Sequence, residues 1–587
     1  MKDTLARHKR GDEPLPTTQW LLPLYGKGFE NLGRDGQLIQ APVPEYGPDE
    51  LLARHDAVGL CFSDTKVIRY GEDHPRIYRD IRDMKADPVV LGHEVSMTIV
   101  GVGENLKGQY HVGERYIIQA DIHLGGVGMA YGYEIQGGLS QYNVIDQRVL
   151  HGDHGNYLIP VQPDTGYAES ALTEPWACVI AAYQLEYRTG LKPGGFTWII
   201  GAGGDQPYTI SAGFDEESHP DHLLLSDAPA GFGDWLRTRA AALGVEVTEV
   251  DDIAAPPVEL VDDIVLLGAD ADLIEAVSPR LANFGILAIV ADEPLPRKVE
   301  MDVGRVHYNR WVCIGGTGPD IARIYGKKPV RSTLRPRGRA WFVGAGGPMG
   351  RMHVQRAIQV TDGPSTIVCT DISGPRLDDL HATFAAEAKA KGIEFACLNP
   401  LDKEEYASAM AAAERRTRKE RKKTRKERKK EGFDDIIVLA PVPAVISEAA
   451  IHLAPQGVMN VFAGVPRGTM ASIDLSDAYL KDARVIGHSA STIDDLRLML
   501  RQAETGTLSP NRSVAAVGSL SAARSGLRAV EETTFPGKIV IYPNIKEFPL
   551  TALPDLKDKL PSVYAKLKDG QVWTAEAEQE WLRRLLE

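Results

Sequence analysis

The feature that most constrains this chain is an apolar segment, Ala340-Trp341-Phe342-Val343, that breaks into Gly344-Ala345-Gly346-Gly347-Pro348-Met349-Gly350 and continues as Arg351-Met352-His353-Val354. A buried strand that turns through glycines into a helix offers bare backbone amides and a positive helix end to a diphosphate. An ordinary structural turn is the competing reading. Downstream, Ser365 to Thr370 reads as a second strand ending at Asp371, an acid placed to bind an adenosine ribose and to repel a ribose phosphate, which favours NAD over NADP. Gly344, Gly346, Gly347, Met349, Gly350 and Asp371 are therefore the candidate cofactor residues. The spacing departs from the usual pattern: a strict G-x-G-x-x-G count from Gly344 ends on Met349, and Gly350 falls one place late.

A second strand-to-glycine turn lies earlier, at Thr197-Trp198-Ile199-Ile200-Gly201-Ala202-Gly203-Gly204. Strand candidates follow at His222 to Leu225, ending near Asp227, then at Val245 to Val250, Asp263 to Leu267 and Gly285 to Val290, alternating with helix-like segments as in a parallel α/β sheet. Asp262-Asp263-Ile264-Val265-Leu266-Leu267 echoes Asp434-Asp435-Ile436-Ile437-Val438-Leu439, and Ala282-Asn283-Phe284-Gly285 echoes Ala454-Pro455-Gln456-Gly457 at the same offset. The two glycine turns are closer together than that offset, so the second copy carries an insertion. These echoes predict a duplicated Rossmann-type domain. The first copy has Asp205-Gln206-Pro207 where the second has Pro348-Met349-Gly350, so the first is expected to be degenerate and the second to hold the cofactor. The insertion is a basic run in which Thr417 to Lys423 is repeated residue for residue from Thr424 to Lys430. It has no aromatic interleaving and the chain carries a net charge of −14, which argues for a solvated excursion and against nucleic-acid binding.

Residues 1 to about 190 are rich in short β-like runs, glycine and proline, and hold a second constellation. Cys61 and Ser63 stand in Gly59-Leu60-Cys61-Phe62-Ser63-Asp64, His93 and Glu94 in Leu91-Gly92-His93-Glu94, and Glu174 in Leu172-Thr173-Glu174-Pro175. A thiolate, an imidazole and carboxylates are the ligands of a catalytic zinc that keeps one coordination position open. The sequence leaves open which of Glu94 and Glu174 would ligate directly.

Together and in this order the motifs resemble those of the zinc-dependent medium-chain alcohol dehydrogenases, most closely the sorbitol, threonine and sugar-phosphate dehydrogenase branch. Cys61 to Asp64 matches the family's Cys-Gly-Ser-Asp motif except at Phe62, and Gly92-His93-Glu94 and Glu174-Pro175 match its next two motifs. Val102-Gly103-Glu104-Asn105, Val112-Gly113-Glu114-Arg115 and Gly137-Gly138-Leu139-Ser140-Gln141-Tyr142 fit as well.

The resemblance implies an α/β chain with a GroES-like, mostly β catalytic domain over residues 1–195, and the internal echoes add, as a departure from the family, a degenerate Rossmann-like domain over 196–333. An NAD-binding Rossmann domain follows over 334–505, with the basic insertion at 415–430, and residues 506–587 return to the catalytic domain and end in a helical tail. It also implies an enzyme that moves hydride between NAD(H) and the alcohol or carbonyl of a polyol, sugar or sugar phosphate. Zinc would be held by Cys61, His93 and a carboxylate, with Ser63 passing the alcohol proton outward. Relatives often bind a structural zinc through a four-cysteine loop, but Asp121 to Gln136 contains no cysteine, so one catalytic zinc and no structural zinc are expected. Lys66, Arg69, His74, Arg76 and Arg79 follow the first ligand closely and would suit a phosphorylated substrate.

Five cysteines, none closely paired, leave no disulfide framework. The N-terminus lacks a secretory signal and no apolar stretch is long enough to cross a bilayer, so a cytoplasmic protein without membrane contact is expected. Competing readings are a zinc-free reductase of the same fold and a non-enzymatic nucleotide-sensing or RNA-binding protein using the basic run. A homo-oligomer through a Rossmann edge strand and an edge filled by the chain's own duplicated domain are equally compatible with the sequence.

Overall fold

The computed structural model describes residues 2–79, 83–326, 330–414 and 432–586; the basic insertion at 415–430 lies outside the described residues. Contacts divide the chain into two units, Met1–Ile180 with Ala490–Glu587, and Ala181–Ser489.

In the first unit, two long strands whose residues are nearly all buried, Leu51–Gly59 and Glu94–Val102, pair antiparallel and form the middle of an eight-stranded sheet. On one side follow Arg115–Ile118 and Leu158–Val161; on the other, Lys538–Tyr542 and Val514–Ser519 bring the returning chain into the same sheet. The closing helix Ala575–Leu585, capped by the Thr574 hydroxyl accepting from the Ala577 amide, buries Ala577 and Trp581 against Tyr542 and Trp573. Its apolar positions recur at helical spacing, which is why one face is dry. A hairpin of Asp121–Leu124 and Val127–Ala130 occupies the segment where a cysteine loop would lie.

The second unit holds both Rossmann copies. The first supplies β1 (Phe196–Gly201), β2 (His222–Ser226), β3 (Glu246–Glu249), β4 (Val261–Leu267), β5 (Leu281–Val290) and β6 (Val312–Gly316). The second supplies β7 (Arg339–Val343), β8 (Thr366–Thr370), β9 (Glu394–Leu398), β10 (Phe433–Val438), β11 (Leu453–Val461) and β12 (Arg484–Gly487). They form one twelve-stranded sheet in the order β3-β2-β1-β4-β5-β6-β12-β11-β10-β7-β8-β9. Each half is parallel, and the halves meet where β6 and β12 pair antiparallel at Cys313 and Val485. A second antiparallel pair, Val299–Asp302 with Met470–Ile473, also joins the copies. The duplication thus fills each copy's open edge with the other.

The repeats agree in detail. Asp263 on β4 accepts from Arg188 and from the Lys192 amide at 2.9 Å, while Asp435 on β10 accepts from Arg331 and from the Arg335 amide at 2.7 Å. These ties place residues 181–195 with the second unit, although the expected catalytic domain ran to 195; the helix Ile493–Glu504 falls with the first unit, before the expected boundary at 505. The copies differ after their first strand. From β7 the chain enters α2 (Pro348–Gln359), α1 being the earlier helix Ala230–Leu243. Among the described residues no helix separates β1 from β2; instead Tyr208, Ile210 and Phe214 from the connecting loop enter the core.

Candidate functional site

In the first unit, strand Leu51–Gly59 runs directly into Leu60 and Cys61, and Cys61 caps helix Phe62–Tyr70 with its amide donating to Asp64 Oδ2 at 2.9 Å. Asp64 is fully buried and its other oxygen lies 3.2 Å from His93 Nδ1. One carboxylate therefore fixes both the Cys61 backbone and the His93 ring, leaving Nε2 to face the site, the arrangement that orients a metal-ligating imidazole. Burial alone would lower the His93 pKa, but the Asp64 and Cys61 charges push it well above its ordinary value.

Ligand atoms of Cys61, His93 and Glu94 lie within 4.8 Å of one another. Glu94 opens its strand and is fully buried. Its Oε1 accepts from Lys538, whose ammonium also donates to the Leu60 carbonyl at 2.7 Å. Its Oε2 has no hydrogen-bond partner. Gly59 makes the room: a Cβ there would strike that oxygen. A buried carboxylate oxygen left unpaired costs several kcal/mol unless a cation satisfies it, so the donor set fits a metal of the zinc type. Burial would lower the Lys538 pKa, but Glu94 and Cys61 raise it, so the ammonium stays charged.

Glu174, at the start of helix Thr173–Ala181, is not in the three-residue group. It feels the charges of His93 and Glu94, and desolvation followed by Glu94 repulsion pushes its pKa up to about 7 against the opposing pull of His93. Ser63 is within reach of the group: its hydroxyl donates to Cys61 Sγ at 3.1 Å and lies 3.3 Å from His93 Nε2. Tyr133 forms a wall, its ring stacked on His93 at 6.1 Å and on His74 at 5.4 Å between centroids. Of the basic residues expected near a phosphate, Arg76 pairs with Asp121 at 2.8 Å and Arg69 with Glu531 at 3.6 Å, while Lys66 lies over the Phe62 ring. The Arg79 side chain lies outside the described residues.

In the second unit, Gly344 takes the left-handed conformation at φ 81°, and Gly347 begins α2 with no side chain capping its first amides. Gly346 donates to Asp371 Oδ2 at 2.9 Å, so the acid after β8 reaches the glycine turn. Met349 and Gly350 lie in the first helical turn, where a Cβ at Gly350 would meet Ala345 backbone at 2.5 Å. The late glycine thus lets this helix pack on its own turn. Ile372, 69% exposed, follows Asp371.

Lys538, Asp64 and Tyr133 carry roles that the sequence reading did not assign. Lys538 had a signal, a lone cation at the head of the apolar strand Lys538-Ile539-Val540-Ile541-Tyr542. Asp64 stood inside the first motif.

Residues 47–152 match the alcohol dehydrogenase GroES-like domain. The chain is 23% identical over 564 residues to mannitol-1-phosphate 5-dehydrogenase of Aliivibrio fischeri, covering 94% of this chain and 95% of that one. It is 23% identical over 571 residues to L-sorbose 1-phosphate reductase of Klebsiella pneumoniae, covering 96% of each. Among solved structures, 2R,3R-butanediol dehydrogenase of Bacillus subtilis matches with a TM-score of 0.50 at 14% identity, covering 90% of this chain and all of that one, a likeness of fold.

Proposed function

We infer that the chain is an oxidoreductase of the medium-chain alcohol dehydrogenase superfamily, in the branch of the sorbitol and sugar-phosphate dehydrogenases. From that premise we propose that it moves hydride between NAD(H) and the alcohol or carbonyl of a polyol or sugar phosphate, using one zinc held by Cys61, His93 and Glu94. The observation that carries the reading is the fully buried Glu94, grouped with Cys61 and His93 and with one carboxylate oxygen, Oε2, left without a hydrogen-bond partner. A zinc ion held there supplies Lewis acidity that lowers the pKa of a substrate hydroxyl.

The chain's own residues do the rest. Asp64 holds the His93 ring and the Cys61 turn, and Lys538 holds Glu94 in place. Ser63, 3.1 Å from Cys61 Sγ, takes the hydroxyl proton and passes it outward. In the second Rossmann copy, the uncapped start of α2 binds the diphosphate and Asp371 binds the ribose hydroxyls, which selects NAD over NADP. The relatives named for phosphorylated substrates support a phosphorylated polyol or sugar, for which Lys66 on helix Phe62–Tyr70 is the candidate contact.

The test is metal content and NAD reduction measured on the same preparation. One zinc per chain is expected, lost in Cys61→Ala together with turnover of hexitol phosphates. Full activity without zinc, or turnover of simple alcohols but no polyol, sugar or sugar phosphate, would overturn the reading.

A further inference from the structure

Cys369 on β8 and Cys397 on β9 face each other in register on adjacent parallel strands. Both are free thiols, Cys369 buried and Cys397 partly exposed. Cys397 lines a cavity of about 340 Å³ with Leu377, Asp378 and His381, helical residues on α3 (Gly374–Ala390), and with Tyr406. A small reagent can therefore reach one thiol of the pair but not the other. The two strands end at the proposed cofactor site: β8 leads into Asp371, whose amide faces the Leu398 carbonyl, and Asn399 after β9 donates to the Ile372 carbonyl at 3.3 Å.

We propose that Cys397 and Cys369 form a reversible disulfide by exchange with a small-molecule disulfide of the glutathione class, and that the bond weakens nucleotide binding at Asp371. Cys397 as thiolate attacks one sulfur of the reagent, and the first reagent thiol leaves with a proton. Cys369 loses its proton and attacks the Cys397 sulfur of the mixed disulfide, releasing the second reagent thiol. Two protein S–H bonds and the reagent S–S bond become one protein S–S bond and two reagent S–H bonds, so the protein is oxidised by two electrons and the reagent reduced.

Facing strands are about 4.8 Å apart, inside the roughly 4.4–6.8 Å range between disulfide Cα atoms, but the Cβ atoms must close to about 3.8 Å. The strands have to be drawn together next to Asp371. A bond made under that strain is readily reduced, as a reversible one must be. Burial and the neighbouring Cys397 push the Cys369 thiol well up, so the second step sets the rate. The chemistry of the pair stands without the nucleotide reading; its effect on affinity rests on that reading.

The test treats the zinc-loaded full chain with glutathione disulfide, maps the linked peptides by mass spectrometry, and titrates NADH by fluorescence before and after. A Cys369–Cys397 link, reversed by dithiothreitol and absent in Cys397→Ser, together with a loss of affinity of about fivefold or more confined to oxidised wild type, is the expected result. No link, or only a stable mixed disulfide at Cys397, overturns the site. A link with unchanged affinity overturns the coupling. Failure of NADH to bind even the reduced chain would instead defeat the assignment of the second copy as the nucleotide domain.

Discussion

Gly201 and Gly344 open equivalent turns in the two Rossmann copies, yet each is glycine for a different reason. Gly344 is left-handed and lies 2.9 Å, at its absent Cβ, from the Ala440 amide nitrogen. At Gly201 the constraint is space: a Cβ would strike the carbonyl of Asp227, itself held at φ 48°. Beyond the glycine, the first copy's Ala202 and Gly204 amides donate to Leu267 at 2.9 and 3.1 Å and an apolar loop follows. In the second copy Gly346 reaches Asp371 and α2 begins uncapped. The sheet frame has been kept on both sides, while the mouth with the uncapped helix start is the one proposed to bind the nucleotide. Packing, which needs both halves of a twelve-stranded sheet, constrains the frame; on the proposed reading, ligand chemistry constrains one mouth.

The largest effects should fall equally on the two copies. Removing Asp263 or Asp435 leaves an arginine and a backbone amide without their buried acceptor, a change worth about 3 kcal/mol. Asp263→Ala and Asp435→Ala should lower thermal stability by similar amounts; a large effect in one copy alone would break the equivalence of the frames. The pH dependence sharpens it. Burial raises both carboxyl pKa values, opposed by Arg188 and Arg331. A carboxyl that binds its proton more tightly when folded contributes stability below its ordinary range, and that stability is lost as pH rises towards the raised value. Asp263→Asn and Asp435→Asn should each remove part of that decline in a denaturation series across acidic pH.

The next effect should be one-sided. Asp371→Ala deletes a charged acceptor for the ribose and should weaken NADH binding by about 1.5–3 kcal/mol. Asp227→Ala, at the end of β2, should leave it unchanged. Equal losses, read by fluorescence titration, would mean that both mouths bind nucleotide.

Much of this was legible where chemistry is local in sequence. Cys61, His93 and Glu94 sit in short motifs, and the glycine turn with Asp371 spans two adjacent strands. The duplication was visible as repeated strands, but its true start was missed: Arg188-Thr189-Gly190-Leu191-Lys192-Pro193 is echoed by Arg331-Ser332-Thr333-Leu334-Arg335-Pro336, the segments that hold Asp263 and Asp435. Lys538 contacts Glu94 from 444 residues away, a pairing fixed only when the returning strand enters the first sheet. The joining of β6 to β12 is open in the sequence for a similar reason, since an edge strand reads the same whether its partner is solvent, another chain or its own repeat. Loss of the helix after β1 had only Asp205-Gln206-Pro207 to announce it.

The smallest effect should come from backbone strain that the duplication has preserved. Phe284 and Gln456 occupy equivalent positions before the glycines of β5 and β11, at φ 61° and 59°, and both strands show the same register shift against β4 and β10. Left-handed backbone costs a side-chain-bearing residue about 1–2 kcal/mol, and glycine escapes that while giving back part of it as unfolded-state entropy. Gln456→Gly should therefore stabilise by about 0.5–1 kcal/mol. Phe284→Gly should gain less, because the Arg310 guanidinium packs over the Phe284 ring at 5.3 Å and that contact is lost. If Phe284→Gly proved the more stabilising of the two, the Arg310 contact would be contributing nothing and the exposed ring, 57% accessible, would be a cost borne by the first copy alone.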